Sequence, residues 1–440
     1  MLGRAAVRFW LLYGFLVSGL LLTVLAAFAL HGILSWSVGL IYILYDSFLQ
    51  CWVVWRSSRA LNSVPVVEKT NGGHLPTVSV VVPARNEKDV LNECLQALLS
   101  QTHAPDEIIV VDDGSIDDTA QEIRERFGSN LRVICKEHSG KADSLNNGWR
   151  MARSEIIVTV DADTILEPGA ILEVCRTFSI YSNLEAAGGV LIPRCAAAPL
   201  GRGFQFYQTF EYVYSFLERL AWMNFGTLVL VSGAFSAFRR SVLERLGGFD
   251  KNSSVEDYEL IYRLYRDGYT RGIKPLVQVM AHARAVTDAP CNIEKFLLQR
   301  GRWFAGFIET LFRNRDMVAD SRYGRFGKFM LPLKLMDTLK PFYGLLALLV
   351  FWFYVFSGFR SYLVIIYILI AKLLLDVILR CWAFSLYHRW QSLPISPALW
   401  AKSLAALLSE PFAFQILRHV AAVFGVLAYL HGRIVWTQQR

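Results

Sequence analysis

The sequence predicts an α/β domain with a mostly parallel sheet, flanked on both sides by transmembrane α-helices. Three observations lead there. Apolar runs long enough to cross a bilayer lie in the first 55 residues and again after Lys328. Between Arg56 and Lys328 no such run occurs, and charges appear every few residues. Within that interval short apolar segments alternate with helix-spaced ones, the pattern of a parallel sheet covered on both faces.

The apolar runs come first. Trp10 to Leu30 carries no charge and Ile33 to Trp55 carries only Asp46. Each matches the roughly 20 residues that span a hydrocarbon core of about 30 Å. Further runs occupy Pro341 to Gly358, Tyr362 to Tyr387 and part of Phe412 to Trp436. Arg4 and Arg8 precede the first run as they would in a signal peptide. That run is too long for one, lacks a clear cleavage site and leads into a second, so an uncleaved hairpin is expected. Arg4 and Arg8 at one end, with Arg56 and Arg59 at the other and no Lys or Arg at His31-Gly32, put both ends in the cytosol. The expected plan is a hairpin over 1–56, a linker over 57–75, a cytosolic domain with interface helices over 76–329, and a membrane bundle over 330–440. The protein is then a multi-pass protein of the cell membrane. Leu399 to Leu408 is short, holds Lys402 and ends at Glu410-Pro411. The C-terminal crossings number three or four according to whether it crosses, and only four return Arg433 and Arg440 to the cytosol.

Composition narrows the class. A 54% hydrophobic and 13% aromatic content exceeds that of an ordinary soluble chain. Seven cysteines with no CxxC pair fit reduced thiols and give no disulfide or zinc framework. The net charge of +8 suits a cytoplasmic membrane face and equally an anionic substrate. Neither GxGxxG nor GxxxxGK[ST] is present, which excludes a dinucleotide fingerprint and a P-loop. No nucleic-acid partner is expected.

The middle region supplies the elements in order. "PTVSVVV" (Pro76 to Val82) is a buried strand, and Lys88 to Gln101 has helical spacing. "EIIVV" (Glu107 to Val111) is a second strand, succeeded by a helix from about Asp118 to Phe127. "LRVIC" (Leu131 to Cys135) is a third strand, Lys141 to Ala152 a helix, and "EIIVTV" (Glu155 to Val160) a fourth strand. In such sheets ligands lie beyond the carboxyl ends of the strands. There the chain places "PARNE" (Pro83 to Glu87), "DDGSIDD" (Asp112 to Asp118) and "DAD" (Asp161 to Asp163).

Asp161 and Asp163 are two apart, so on an extended segment both point to one side. Two such carboxylates repel unless a cation separates them, and hard divalent ions prefer their oxygens. An N-cap or Asx-turn is the alternative for an isolated pair. Asp112 and Asp113 end the second strand, where a carboxylate can accept from a base N–H or a ribose hydroxyl; a simple turn capped by Asp117 or Asp118 is the alternative. Lys141 in "GKADSLNNG" either reaches phosphate oxygens or stands in solvent.

PARNE, VDDGSIDDT, GKADSLNNG and DAD, in that order, resemble the nucleotide-sugar half of family 2 glycosyltransferases with a GT-A fold. "VSGAFSAFRR", "GGFD" and "VEDYEL" (Val255 to Leu260) resemble the acceptor half. "QRGRW" (Gln299 to Trp303) matches the QxxRW signature of membrane-integrated polysaccharide synthases, among them the cellulose, chitin, hyaluronan and poly-N-acetylglucosamine synthases. The resemblance covers Pro76 to Trp303 and the flanking membrane plan. It implies a nucleotide-sugar donor, a UDP-sugar, with Asp113 at the uridine and Ala84 and Glu87 lining that pocket. It also implies Mg²⁺ or Mn²⁺ held by Asp161 and Asp163 on the diphosphate, and Asp257 as general base with Glu256 beside it.

Gln299, Arg302 and Trp303 fall at i, i+3 and i+4 of a predicted helix and share a face. A guanidinium toward phosphate and an indole under a sugar ring suit a diphosphate and a saccharide acceptor. Phe204 to Trp222, aromatic at helical spacing, is expected to lie at the membrane surface, with a core helix as the alternative. Lys372, Asp376 and Arg380 share one face of an apolar run, either lining a saccharide path or neutralising one another. The leading reading is an inverting, metal-dependent, processive synthase that builds and exports a polysaccharide, with room for accessory export or regulatory subunits. The alternatives are single addition to a lipid-linked acceptor and a non-catalytic nucleotide-sugar sensor.

Overall fold

The computed structural model describes residues 2–30, 32–63, 75–196, 198–358 and 361–432. The chain forms two compact units. One holds Met1–Asn62, Ala198–Asn224 and Pro290–Arg440, the other Ser63–Ala197 and Phe225–Ala289. The segments Ala198–Asn224 and 290–329, expected within the cytosolic domain with its interface helices, group here with the apolar helices.

Helices α1 (Leu2–Ala29) and α2 (Ser37–Ser63) come first. Next are β1 (Val78–Ala84), α3 (Lys88–Leu99), β2 (Glu107–Asp113), α4 (Thr119–Phe127), β3 (Arg132–Lys136) and α5 (Lys141–Met151). They lead to β4 (Ile156–Val160), β5 (Thr164–Leu166), α6 (Ala170–Ile180), β6 (Leu184–Arg194) and α7 (Pro199–Phe225). The α/β unit continues with β7 (Phe235–Arg239), α8 (Arg240–Leu246), α9 (Glu256–Thr270) and β8 (Leu276–Asp288). After these lie α10 (Ile293–Arg313), α11 (Leu331–Phe356), α12 (Ser361–Trp390), α13 (Pro397–Ser409) and α14 (Phe414–Leu430).

The α/β unit is one sheet in the order β3-β2-β1-β4-β7-β6-β8-β5 among the described residues. Strands β1 to β4 pair in parallel, and their Val/Ile runs are buried throughout β1, β2 and β4, as both-face coverage requires. The order turns back between β1 and β4, the topological position at which such sheets open a crevice at the carboxyl ends of the strands. Strand β7 runs antiparallel to β4 and to β6, β8 runs parallel to β6, and β5 runs antiparallel to β8. With these directions the starts of β5 and β7 and the ends of β1 to β4, β6 and β8 all meet one rim.

Sequence patterning covers the first four strands and leaves β5 to β8 unassigned. Their signal is present in part: β8 alternates buried and less buried positions along much of "LVQVMAHARAVTD". Helix α5 is pressed onto the sheet through Gly148, where a Cβ would lie 2.3 Å from Val81 Cγ1 and 3.2 Å from Val111 Cγ2.

Among the described residues, the other unit carries four helices long and apolar enough to cross a membrane, Ala5–Ala29, Ile33–Asn62, Phe326–Phe356 and Tyr362–Trp390. A fifth span results if the pair Pro397–Phe412 and Phe414–Leu430, bent by 49°, counts as one. The short segment at Leu399 to Leu408 is thus one arm of a bent pair. Helix α2 runs to Ser63, into the expected linker, while linker residues 64–74 lie outside the described residues, as do His31 and the tail arginines Arg433 and Arg440. Tight apolar packing ties α1, α2, α11 and α12 together: the Trp36 indole N–H donates to Ala347 O (2.9 Å) and the Tyr354 hydroxyl to Ala27 O (2.8 Å).

Several buried charges of this unit are paired, because an isolated one there costs several kcal/mol. Asp46 on α2 accepts from Lys340 (2.7 Å) and Lys372 (2.8 Å), and Lys372 also contacts Asp376. Arg380 and Arg418 both contact Glu410, at the junction of α13 and α14. Lys372, Asp376 and Arg380 therefore neutralise partners on their own and neighbouring helices.

The packing of α5 gives a direct test. Gly148→Ala is expected to destabilise the protein by about 1–3 kcal/mol through overpacking against Val81. The apparent melting temperature of the purified full chain should fall, whereas Gly203→Ala on α7, with nothing within 4 Å of its Cβ position, should leave it unchanged or raise it.

Candidate active site

The rim is built from short connections whose backbone is held by the acidic side chains themselves. Asp113 ends β2 and is 4% exposed. Its carboxylate accepts from the N–H groups of Ser139 and Gly140 (both 2.9 Å), from Lys136 and from His138 Nδ1 (2.8 Å). Arg85 Nη1 lies 2.9 Å from His138 Nε2. Arginine only donates, so Nε2 accepts and the ring proton sits on Nδ1, facing Asp113. Burial opposes the Asp113 charge, but these donors outweigh it and hold its carboxyl down to about 2.

Clasping this loop sets the start of the next helix. Gly140 takes φ +98, a conformation that only glycine adopts freely, and α5 starts at Lys141. Lys141 Nζ then lies 2.5 Å from Asp161 Oδ1 and 3.4 Å from Glu256 Oε1. The side chain is one-fifth exposed and ion-paired, so the solvent alternative raised by the sequence does not hold. Burial disfavours its ammonium, yet Asp161 and Glu256 prevail and raise its pKa.

Asp161 and Asp163 are not on an extended segment. The Thr164 N–H donates to Asp161 O (3.0 Å), closing a turn directly after β4. The geometric argument from period two therefore fails here, although the two carboxylates remain neighbours. Asp163 faces Thr287 Oγ1 at 3.4 Å, beside the pair formed by Thr164 and Thr287 hydroxyls (2.8 Å). Burial first, then the charges of Asp161 and Asp288, push the Asp163 carboxyl above the usual carboxylate range. Asp288, at the end of β8, is paired with Arg194 Nε (2.9 Å).

Asp257 reaches the same rim from α9. Its Oδ2 accepts the Gly233 N–H (2.6 Å) and its Oδ1 the N–H of Tyr258 (2.8 Å). The Gly233 loop also holds Asp161, whose N–H donates to Ala234 O (3.2 Å). A Cβ at Gly233 would approach Asp257 Oδ2 to 3.0 Å, so the residue type permits the close approach. Burial, with the Glu256 charge second, raises the Asp257 carboxyl. Asp161, Asp163, Glu256 and Asp257 thus come together around Lys141 and one backbone loop.

Other expected residues divide. Ala84, 3% exposed, pairs with Asp112 between β1 and β2, and Glu87 is half-buried at the start of α3. Asp112 is taken up by Ser115, whose N–H (3.3 Å) and hydroxyl both donate to it, the local turn role. On α10, Gln299 is buried while Trp303 is 38% exposed and Arg302 is half-buried. The buried guanidinium of QRGRW is Arg300, paired with Glu211 of α7 (2.7 Å) and set 4.2 Å from the Trp303 ring centroid. Sequence reasoning missed Arg300, as it missed Lys136 and His138.

Asp161 and Asp163 offer hard oxygen donors to a divalent cation, and the excess negative charge around Asp163 is what such an ion relieves. Among the described residues no group of three or more His, Cys, Asp or Glu is arranged to hold a metal alone. The donor set fits an ion that keeps its remaining positions for phosphate oxygens and water.

Comparison with known proteins bears on this rim. A family model described as "Glycosyltransferase like family 2" matches residues 76–306, more than half of the 440-residue chain. The chain is a family 2 glycosyltransferase. This glycosyltransferase is similar to the poly-beta-1,6-N-acetyl-D-glucosamine synthase of Staphylococcus aureus, 27% identical over 300 residues that cover 67% of each chain. The Staphylococcus epidermidis synthase of the same name is 28% identical over 241 residues, 54% of this chain and 56% of that one. A mannosyltransferase from Pyrobaculum calidifontis, solved with GDP-Man and Mn²⁺, shares the fold at a TM-score of 0.57 and 20% identity, over 86% of this chain and 99% of that one.

Asp113 provides the test of the clasp. A carboxyl depressed from 3.8 to about 2 stabilises the fold above its unfolded value, and that contribution is lost as pH falls through the folded one. Asp113→Asn should therefore lower the apparent melting temperature most at pH ~5 and above, and the gap to the wild type should narrow below pH ~4.

Proposed function

We propose that this glycosyltransferase is a polysaccharide synthase: it moves a sugar, with inversion, from a UDP-sugar to the hydroxyl of a growing saccharide. The similarity to the staphylococcal synthases supports N-acetylglucosamine as the sugar and a polymer as the product. The observation that carries the reading is the convergence of Asp161 and Asp257 on Lys141 and on the Ser232–Ala234 loop.

In this scheme the nucleoside sits toward Asp113, Ala84 and Glu87, and the diphosphate lies over the crevice between β1 and β4. Asp161 and Asp163 would hold Mg²⁺ or Mn²⁺, and the ion would supply charge neutralisation for the departing diphosphate. Asp257 takes the proton of the acceptor hydroxyl as its oxygen bonds to the anomeric carbon and the bond to the diphosphate breaks. The released proton ends on the Asp257 carboxylate, which Gly233 and Tyr258 N–H groups orient. Glu256 pairs with Lys141 in the donor-free site, and Asp257 is assigned as the base. The roles of Gln299, Arg302 and Trp303 toward acceptor and diphosphate belong to the same proposal and rest on the QRGRW resemblance alone. The catalytic unit is assigned to the cytosol, with the product exported through the membrane helices.

The test uses purified full chain in lipid nanodiscs with UDP-N-acetylglucosamine and Mg²⁺ or Mn²⁺, scoring UDP release and product length. Long polymer is expected. One sugar added to a lipid acceptor would instead favour the single-addition reading, and no release from any UDP-sugar would contradict the donor class. Asp257→Asn should lose at least about a hundredfold in transfer while still binding UDP. A base must be deprotonated to act, and the Asp257 carboxyl is raised. The acid limb of the transfer rate should therefore lie above the ordinary aspartate value of about 3.9, with activity climbing as pH rises through it.

A further inference from the structure

We propose that the Lys141 ammonium is a resident counter-ion that occupies Asp161 and Glu256 when donor is absent, and so makes divalent-cation binding depend on the donor. The inference rests on the proposed function and deepens it. Its basis is geometric. Lys141 Nζ sits 2.5 Å from Asp161 Oδ1 and 3.4 Å from Glu256 Oε1, on the carboxylate assigned to the cation and on the neighbour of the base.

The position is imposed by the backbone. Asp113 accepts the N–H groups of Ser139 and Gly140, Gly140 turns at φ +98, and α5 begins with Lys141. A lysine charge and a divalent cation on one carboxylate repel each other strongly at a few ångströms in a partly buried site. A cation arriving alone therefore meets an occupied ligand. A diphosphate adds negative oxygens that accept both the displaced ammonium and the cation, so the two positive charges are accommodated only together. Donor and metal then enter as a pair, and an empty site does not sequester metal. Lys141 is here a positioning residue whose effect is felt through Asp161.

The experiment measures Mn²⁺ binding to the full-length protein in detergent, from the free-ion electron paramagnetic resonance signal, with and without UDP. Wild type, Lys141→Met and Lys141→Arg are compared. The wild type should bind Mn²⁺ at least about tenfold more tightly with UDP than without, as the removal of one nearby like charge predicts. Lys141→Met should gain at least about tenfold in UDP-free Mn²⁺ affinity and lose most of the UDP enhancement, whereas Lys141→Arg should behave as the wild type. Unchanged UDP-free affinity in a folded Lys141→Met protein, with UDP-dependent binding intact in the wild type, would overturn the counter-ion proposal and leave the metal reading standing. Equal wild-type affinity with and without UDP overturns it without recourse to any variant. No wild-type Mn²⁺ binding in either condition would remove the metal reading itself.

Discussion

Carboxylates crowd one end of the sheet, and their mutual repulsion is the constraint around which the rim is organised. Asp113, Asp161, Asp163, Glu256 and Asp257 all belong to it, with Asp288 acting on Asp163 from the end of β8. Left unmatched at low exposure, such charges would unfold the edge or stay protonated. Asp113 is matched by Lys136, His138 and two backbone N–H groups, Asp161 and Glu256 by Lys141, and Asp257 by the N–H groups of Gly233 and Tyr258. Among the described residues, Asp163 receives long contacts from two threonine hydroxyls, and its carboxyl is raised. The unevenness is informative. The least satisfied carboxylate is one of the two to which the proposed function assigns the cation.

The same electrostatic rule shapes the apolar helices. Asp46 is shared by Lys340 and Lys372, and Glu410 by Arg380 and Arg418, so each buried acid carries two bases. Arg300 extends the pattern into QRGRW, where it pairs with Glu211, itself within 4.0 Å of Arg418. Arg300, at a variable position of QxxRW, here serves the packing of α7, α10 and α14. Close crossing of α10 and α14 rests on Gly301 and Gly425, since a Cβ at Gly425 would sit 2.4 Å from Gly301 O.

Much of this was legible from residues alone. The Val/Ile runs of β1, β2 and β4 and the acidic ends of β2 and β4 identified the parallel half and its rim, because a doubly covered strand leaves no ambiguity of face. The antiparallel half was harder. Strands such as "FSAFR" are short and fully buried in part, and periodicity cannot separate those from buried helix. The partners of Asp113 lie outside the three polar clusters for a simpler reason: "KEHSG" falls at the end of the third strand, not of the first, second or fourth, and meets the same rim. Helical spacing says which residues share a face and not which face is buried, so it does not single out Arg300. The turn at Asp161–Thr164 depends on backbone hydrogen bonding that no side-chain pattern reveals.

The central claim is that one rim serves donor, cation and base. A cryo-electron microscopy map of the full chain with UDP and Mn²⁺ tests it most directly. Diphosphate density is expected beyond the carboxyl ends of β1 and β4, with metal density touching Asp161 and Asp163 and the Asp257 carboxylate lining the same cavity. Nucleotide bound away from those strand ends, or metal held by other residues, would contradict it.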